Sequence, residues 1–115
     1  MLLSCFGAGA PFTGEDTDFV ARASWNGWRG KFDPRPVVAH HHGRKPGDDE
    51  AARRREYEYG RGAYYAKFML DRRARSIYFG HWRWFARNST YGDRASKRRE
   101  LVGAARYLTR RLARR

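Results

Sequence analysis

Apolar positions recur at helical spacing through most of this chain and alternate with polar ones only between about Gly27 and His42. The opening MLLSCF reads as the end of a buried strand or a core-facing segment, and GAGAP breaks it, with Gly7 and Gly9 permitting a tight loop. From Thr13 or Gly14 the pattern turns helical. Thr13 can cap, Glu15, Asp16 and Asp18 complement the positive end of the helix dipole, and Phe19, Val20 and Ala23 form an apolar face. Asp18 and Arg22 stand at i, i+4, and Gly27 marks a stop. WRGKFD then alternates like a strand, Pro34 and Pro36 interrupt, VVAHHH reads as a second short strand, and GRKPGDD closes as a loop.

Beyond Asp49 the character is charged helix. Tyr59, Ala63, Ala66 and Leu70 share a helical face, with Gly60 and Gly62 as weak points. From about Arg73 to Arg87 an aromatic, basic helix carries Tyr78, Trp82 and Phe85 as its stripe. NSTYGD is a loop with capping residues. The last helix, about Arg94 to Ala113, places Leu101, Ala105, Leu108 and Leu112 on one stripe and arginines elsewhere. Such a helix can lie on an anionic bilayer or pack its leucines on the rest of the chain; the pattern fits both.

A length of 115 residues bounds the chain to a single modest core, and 41% hydrophobic with 16% aromatic residues is enough to fold one. The formal charge of +13 favours anionic partners such as nucleotide phosphates, nucleic acid or an acidic membrane surface, without choosing among them. One cysteine, Cys5, excludes an internal disulfide and fits a reducing compartment. No run approaches the ~18 apolar residues of a membrane span.

Two clusters can carry chemistry. Acidic residues that open a helix are commonplace, since the dipole favours each by ~0.3–1 kcal/mol. The glycine-rich approach GAGAPFTGED, however, would present Glu15 and Asp16 at the mouth of a cleft, where a carboxylate can accept a proton from an attacking hydroxyl. In a strand, His40 and His42 would share one face, with His41 on the other. Imidazoles there can ligate a metal or, when charged, bond a phosphate. No zinc-finger, H-E-x-x-H, phosphate-loop or nucleophile-elbow motif is present.

Taken together, GAGAPFTGEDTDFVARASWNGWRGKFDPRPVVAHHHGR resembles the acceptor-side half of a family 2 glycosyltransferase with the GT-A fold, and YEYGRGAYYAKF resembles the helix that follows it in bacterial members. The resemblance covers roughly residues 7 to 70. It implies that Asp16, with Glu15, matches the catalytic "ED" pair, and that His40 or His42 helps bind the metal or the donor diphosphate. The chemistry implied is inverting sugar transfer from a nucleotide-diphospho-sugar to a hydroxyl of a sugar or lipid-linked acceptor. A divalent metal, Mg or Mn, would be bound partly by residues missing from this chain, because the family's nucleotide-binding half and its D-x-D motif have no counterpart here. The chain is therefore expected to be a fragment not active alone.

Arg44 and Arg61 are candidates for phosphate contact, whereas Lys67 reads as part of a solvated basic face. Trp25, Trp28 and Asp18 are candidates for acceptor contact, with core packing the simpler reading of both tryptophans. The expected architecture is α/β, a truncated GT-A-type fragment. Residues 1–46 would form the acceptor-side portion with a short mixed sheet of two or three strands, and residues 47–115 a basic region of three helices. The expected location is cytoplasmic, with peripheral contact to an anionic inner membrane as an option. Nucleic acid is not an expected partner on this reading. The rival is a small basic module binding nucleic acid through arginines and aromatics; it accounts for the charge but not for the GED and HHH clusters.

Overall fold

The computed structural model describes residues 5–7, 9–39, 41, 43, 47, 49–88 and 93–114. Four helices run through them: α1 (Glu15–Trp25), α2 (Glu50–Met69), α3 (Arg75–Asn88) and α4 (Arg94–Leu112). All four lie where the apolar spacing puts helices. Asp49 caps α2 by accepting from Ala52 N at 2.8 Å, and Asp93 caps α4 by accepting from Ser96 N at 2.6 Å. Gly27, at φ 87°, stands just past the Asn26 cap of α1, as the sequence indicates. Thr13 does not cap. Gly14 takes the N-cap position in the left-handed region, and the Thr13 hydroxyl donates instead to Glu56 O of α2 at 3.2 Å.

The expected α/β architecture is overturned, because the described residues contain no strand and no sheet. Their one β-type pairing is an isolated bridge between Phe6 and Phe12, which closes the glycine loop through Gly7 N to Phe12 O at 3.0 Å and Phe12 N to Cys5 O at 3.1 Å. Residues 28–39, the expected first strand and the start of the second, are irregular and exposed throughout. Alternation makes a strand only when a second strand takes up its backbone groups, and none among the described residues does. The two prolines also remove donors from the segment. Trp28, Phe32, Val37 and Val38 consequently stand in solvent.

Two glycines decide how the helices assemble. A Cβ on Gly62 would overlap the backbone of Glu100, and one on Gly103 would overlap the backbone of Tyr59. Backbones of α2 and α4 therefore meet directly at their crossing, so Gly62 is a packing surface rather than a weak point. Carboxylate–arginine pairs running both ways flank the contact. Glu58 of α2 is bonded by Arg99 of α4, and Glu100 of α4 by Arg61 of α2 at 2.6 Å. Trp82 Nε1 of α3 donates to the second Glu100 oxygen at 3.3 Å. The buried face of α4 is thus Ser96, Glu100, Gly103 and Tyr107. The expected leucine stripe points elsewhere, leaving Leu101 and Leu112 exposed.

Two aromatic clusters finish the core. Phe6, Phe12 and Tyr107 gather against Ala63, with ring centroids 5.8–6.5 Å apart. Tyr64, Tyr65, Phe68 and Tyr78 form the second, in which Phe68 and Tyr78 stack at 4.7 Å. Tyr78, Trp82 and Phe85 are all partly buried, so the aromatic stripe read from the sequence is the inner side of α3.

Gly62→Ala should lower the unfolding free energy measured in urea by about 1–3 kcal/mol through overpacking. Gly80→Ala on α3, where an added Cβ meets nothing within 4 Å, should be neutral or stabilising by roughly 0.5–1 kcal/mol. Glu58 gives a pH signature. Burial pushes its carboxyl up, but hydrogen bonds from Arg99 and Ser96 and the charges of Arg99 and Arg54 outweigh this and hold it below its ordinary 4.5. A lowered folded pKa supplies stability that is present above the unfolded value and is lost as pH falls through the folded one. Glu58→Gln should therefore flatten the acid side of the stability profile below pH 4.5, as followed by circular dichroism.

Candidate functional site

Helix α1 enters over the middle of α2, because Thr13 bonds Glu56 O and a Cβ on Gly60 would press on Thr13. That approach encloses a cavity of about 370 Å³ lined by Thr13, Gly14, Asp16, Thr17, Tyr57, Gly60, Arg61, Tyr64, Tyr65 and His81. Positions 57, 60, 61 and 64 follow i, i+3, i+4, i+7 spacing and so form one stripe of α2. His81 reaches the cavity from α3, with its Nδ1 2.8 Å from the Tyr65 hydroxyl.

Asp16 Oδ1 accepts from Thr17 N at 2.7 Å and from the Thr17 hydroxyl at 3.4 Å. Its Oδ2 has no hydrogen-bond partner among the described residues, and the side chain is exposed at the cavity's edge. Burial raises the Tyr65 phenol, with the Glu100 charge adding to the shift, and burial together with the Tyr78 hydrogen bond raises the Tyr64 phenol. Both tyrosines therefore stay protonated; Tyr64 donates to the Tyr78 hydroxyl at 3.4 Å and Tyr65 pairs with His81, and each oxygen keeps acceptor capacity. The cavity combines a carboxylate acceptor, phenolic hydroxyls, an imidazole and aromatic ring faces.

The other sequence-picked residues divide. Glu15 does not line the cavity; its Cβ lies beside Gly7. Arg61 does line it, but its guanidinium is held by Glu100 and by Ser96 Oγ at 3.3 Å, and it lies 5.0 Å from the centroid of Phe85. His40, His42 and Arg44 lie outside the described residues. Trp25 is a packing residue that donates from Nε1 to the Tyr78 hydroxyl at 3.3 Å, whereas Trp28 is 76% exposed.

Asp18 is fully buried, bonded by Arg22 at 2.9 Å and by Lys67. Lys67, read from the sequence as solvated, is thereby the ionic link between α1 and α2. Its side chain is 14% exposed and lies 5.3 Å from the Phe6 ring. The i, i+4 pair of Asp18 with Arg22 was legible; the third member was not, because nothing in the spacing shows that α1 crosses α2 there.

The described residues do not fit a divalent metal. No three His, Cys, Asp or Glu side chains among them come together, and the other ionisable groups around Asp16 are a guanidinium, an imidazole and phenols. Sequence reasoning missed Tyr57, Tyr64, Tyr65 and His81. The tyrosine stripe could have been read from its spacing, while His81 carries no local signal.

No family model, curated protein or solved structure significantly matches this chain. Among the described residues no helix is long and apolar enough to cross a membrane.

Lys67→Met should cost roughly 3–5 kcal/mol, since it leaves a fully buried carboxylate with only one partner. Adding Asp18→Asn to it should recover part of the loss, as a double-mutant cycle in chemical denaturation would show. Were Asp18 an acceptor contact, its substitution would change ligand binding and leave stability alone.

Proposed function

We propose that the chain supplies the acceptor-side part of an inverting sugar transferase, with Asp16 as the base that accepts the proton of an acceptor hydroxyl. The observation that carries this reading is the cavity beside Asp16, whose lining suits a polyhydroxylated ligand. A free carboxylate oxygen and protonated phenols bond hydroxyl groups, and tyrosine ring faces pack against the C–H faces of a sugar. The described residues form helices and no sheet, which takes away the one implied by the likeness to family 2 glycosyltransferases. The proposal therefore rests on the cavity and on the order of the GED, GW and HHH-GR motifs in the sequence.

In the step itself, the acceptor oxygen loses its proton to Asp16 and bonds to the anomeric carbon. The bond from that carbon to the diphosphate breaks on the opposite face, and the leaving group departs as the nucleoside diphosphate. The donor-binding groups belong to a part of the enzyme that these residues do not supply. The single cysteine suits a cytoplasmic setting.

Saccharide binding to the chain, read by saturation-transfer NMR with a panel of mono- and disaccharides, should be detectable and should weaken on Tyr64→Ala. In a polypeptide that also carries a donor-binding half, Asp16→Asn should lower transfer by about 10²–10⁴-fold with the fold intact, Asp16 being exposed. Absence of saccharide binding, together with transfer indifferent to Asp16, would refute the reading.

A further inference from the structure

The outer side of α3 is unlike the rest of the molecule. The helix buries none of its residues fully, and from Arg72 to Gly92 the sequence holds five arginines and no carboxylate. Ser76, Phe79, Gly80, Arg83, Trp84, Arg87 and Asn88 line a shallow hollow of about 390 Å³. Gly80 leaves its floor open, since a Cβ there would meet nothing within 4 Å. Trp84 is 61% and Ile77 60% exposed.

Arg83 and Arg87 stand at i, i+4, a repulsive pairing between like charges. Arg83 lies over the Phe79 ring at 5.9 Å, and neither arginine has a carboxylate partner among the described residues. Phe79 also lines a second hollow, an apolar groove of about 280 Å³ between α2, α3 and α4 that includes Met69, Leu70, Trp82, Leu101 and Leu108. Leu101 and Leu108, two leucines of the stripe read from the sequence, thus open onto this groove, beside the arginine pair.

We propose that this face docks on an anionic phospholipid bilayer. Arg83 and Arg87 contact lipid phosphates, while Trp84, Phe79 and the leucine-lined groove meet the boundary between headgroups and acyl chains. Two features favour this occupant. The patch is cationic without local compensation, on a chain of formal charge +13, so its partner is anionic. Its apolar part is aliphatic as well as aromatic. Leucine and isoleucine side chains give no stacking surface to a nucleobase, whereas an interface presents hydrocarbon directly beneath phosphate. Arginine stems can lie along that boundary with their heads at the phosphates.

The test is flotation of the full chain with vesicles of phosphatidylcholine alone and of an equal mixture of phosphatidylcholine and phosphatidylglycerol. Binding should require the anionic lipid and fall with added salt. Arg83→Gln with Arg87→Gln should weaken it by about tenfold or more. Trp84→Ala should weaken it at constant salt dependence, and Phe32→Ala, outside the patch and 86% exposed, should leave it unchanged. Circular dichroism checks that each variant keeps its helices. Equal binding to both vesicle types, or anionic binding unaffected by the paired arginine change, would overturn the proposal. So would retention of a single-stranded oligonucleotide in place of vesicles, or a stable dimer in sedimentation that occludes Trp84. Saccharide binding at the Asp16 cavity is a separate readout, so either result can fail alone.

Discussion

Backbones can touch only where no side chain separates them, and α2 and α4 touch at Gly62 and Gly103. Everything else in the described structure is placed by that contact. Close approach brings two carboxylates, Glu58 and Glu100, out of solvent, which is costly unless each finds a cation. The partners come from the opposite helix in both cases, Arg99 for Glu58 and Arg61 for Glu100. A rotation of either helix about its axis would leave a buried carboxylate without its arginine, so the pairs fix the register that the glycines permit. The combination resembles a lock with two keys. Apolar packing alone, with so few large side chains on the buried face of α4, would not specify it.

Once α2 is fixed, its remaining faces organise the other elements. Lys67 and the Tyr64–Phe68 rings receive α1 and α3, and Ala63 receives the N-terminal loop with Phe6 and Phe12. Elements from both sides of the 46/47 position therefore share one core. The ionic link through fully buried Asp18 has a further consequence. It sets the rotation of α1, and residue 16, two positions earlier, is turned toward Tyr57 and Tyr64 rather than toward the glycine loop. Asp18, picked from the sequence for contact with a ligand, is engaged instead in holding α1 to α2.

Helix positions were legible because caps and apolar spacing are local properties of sequence, and Asp49, Asp93 and Gly27 mark ends that the structure keeps. The sheet was not, since pairing is a property of two segments and a single segment cannot announce its partner. Residues 28–39 carry the right alternation and stay irregular for want of that partner. The inner face of α4, which the leucine stripe left open, was not legible for a different reason. Hydrophobicity ranks Leu101 and Leu108 above Glu100 and Gly103, yet the close crossing selects for small size and for a charge that α2 can match. Of the site, Asp16 and Arg61 were legible and share a cavity, while His81 arrives there only through the packing of α3.

The division of labour on the surface follows from the same crossing. Residues that satisfy one another across α2 and α4 cannot serve a ligand, which removes Arg61 and Arg99 from the cations available to an anion. Arg83 and Arg87 project from a helix without acidic residues and are left for an outside partner. The molecule thus presents a hydroxyl-rich recess at the start of α1 and a cationic, apolar face on α3, and His81 and Trp84 join them. Their rings stack at 6.4 Å on the same helix, one ring reaching the recess and the other the outer face.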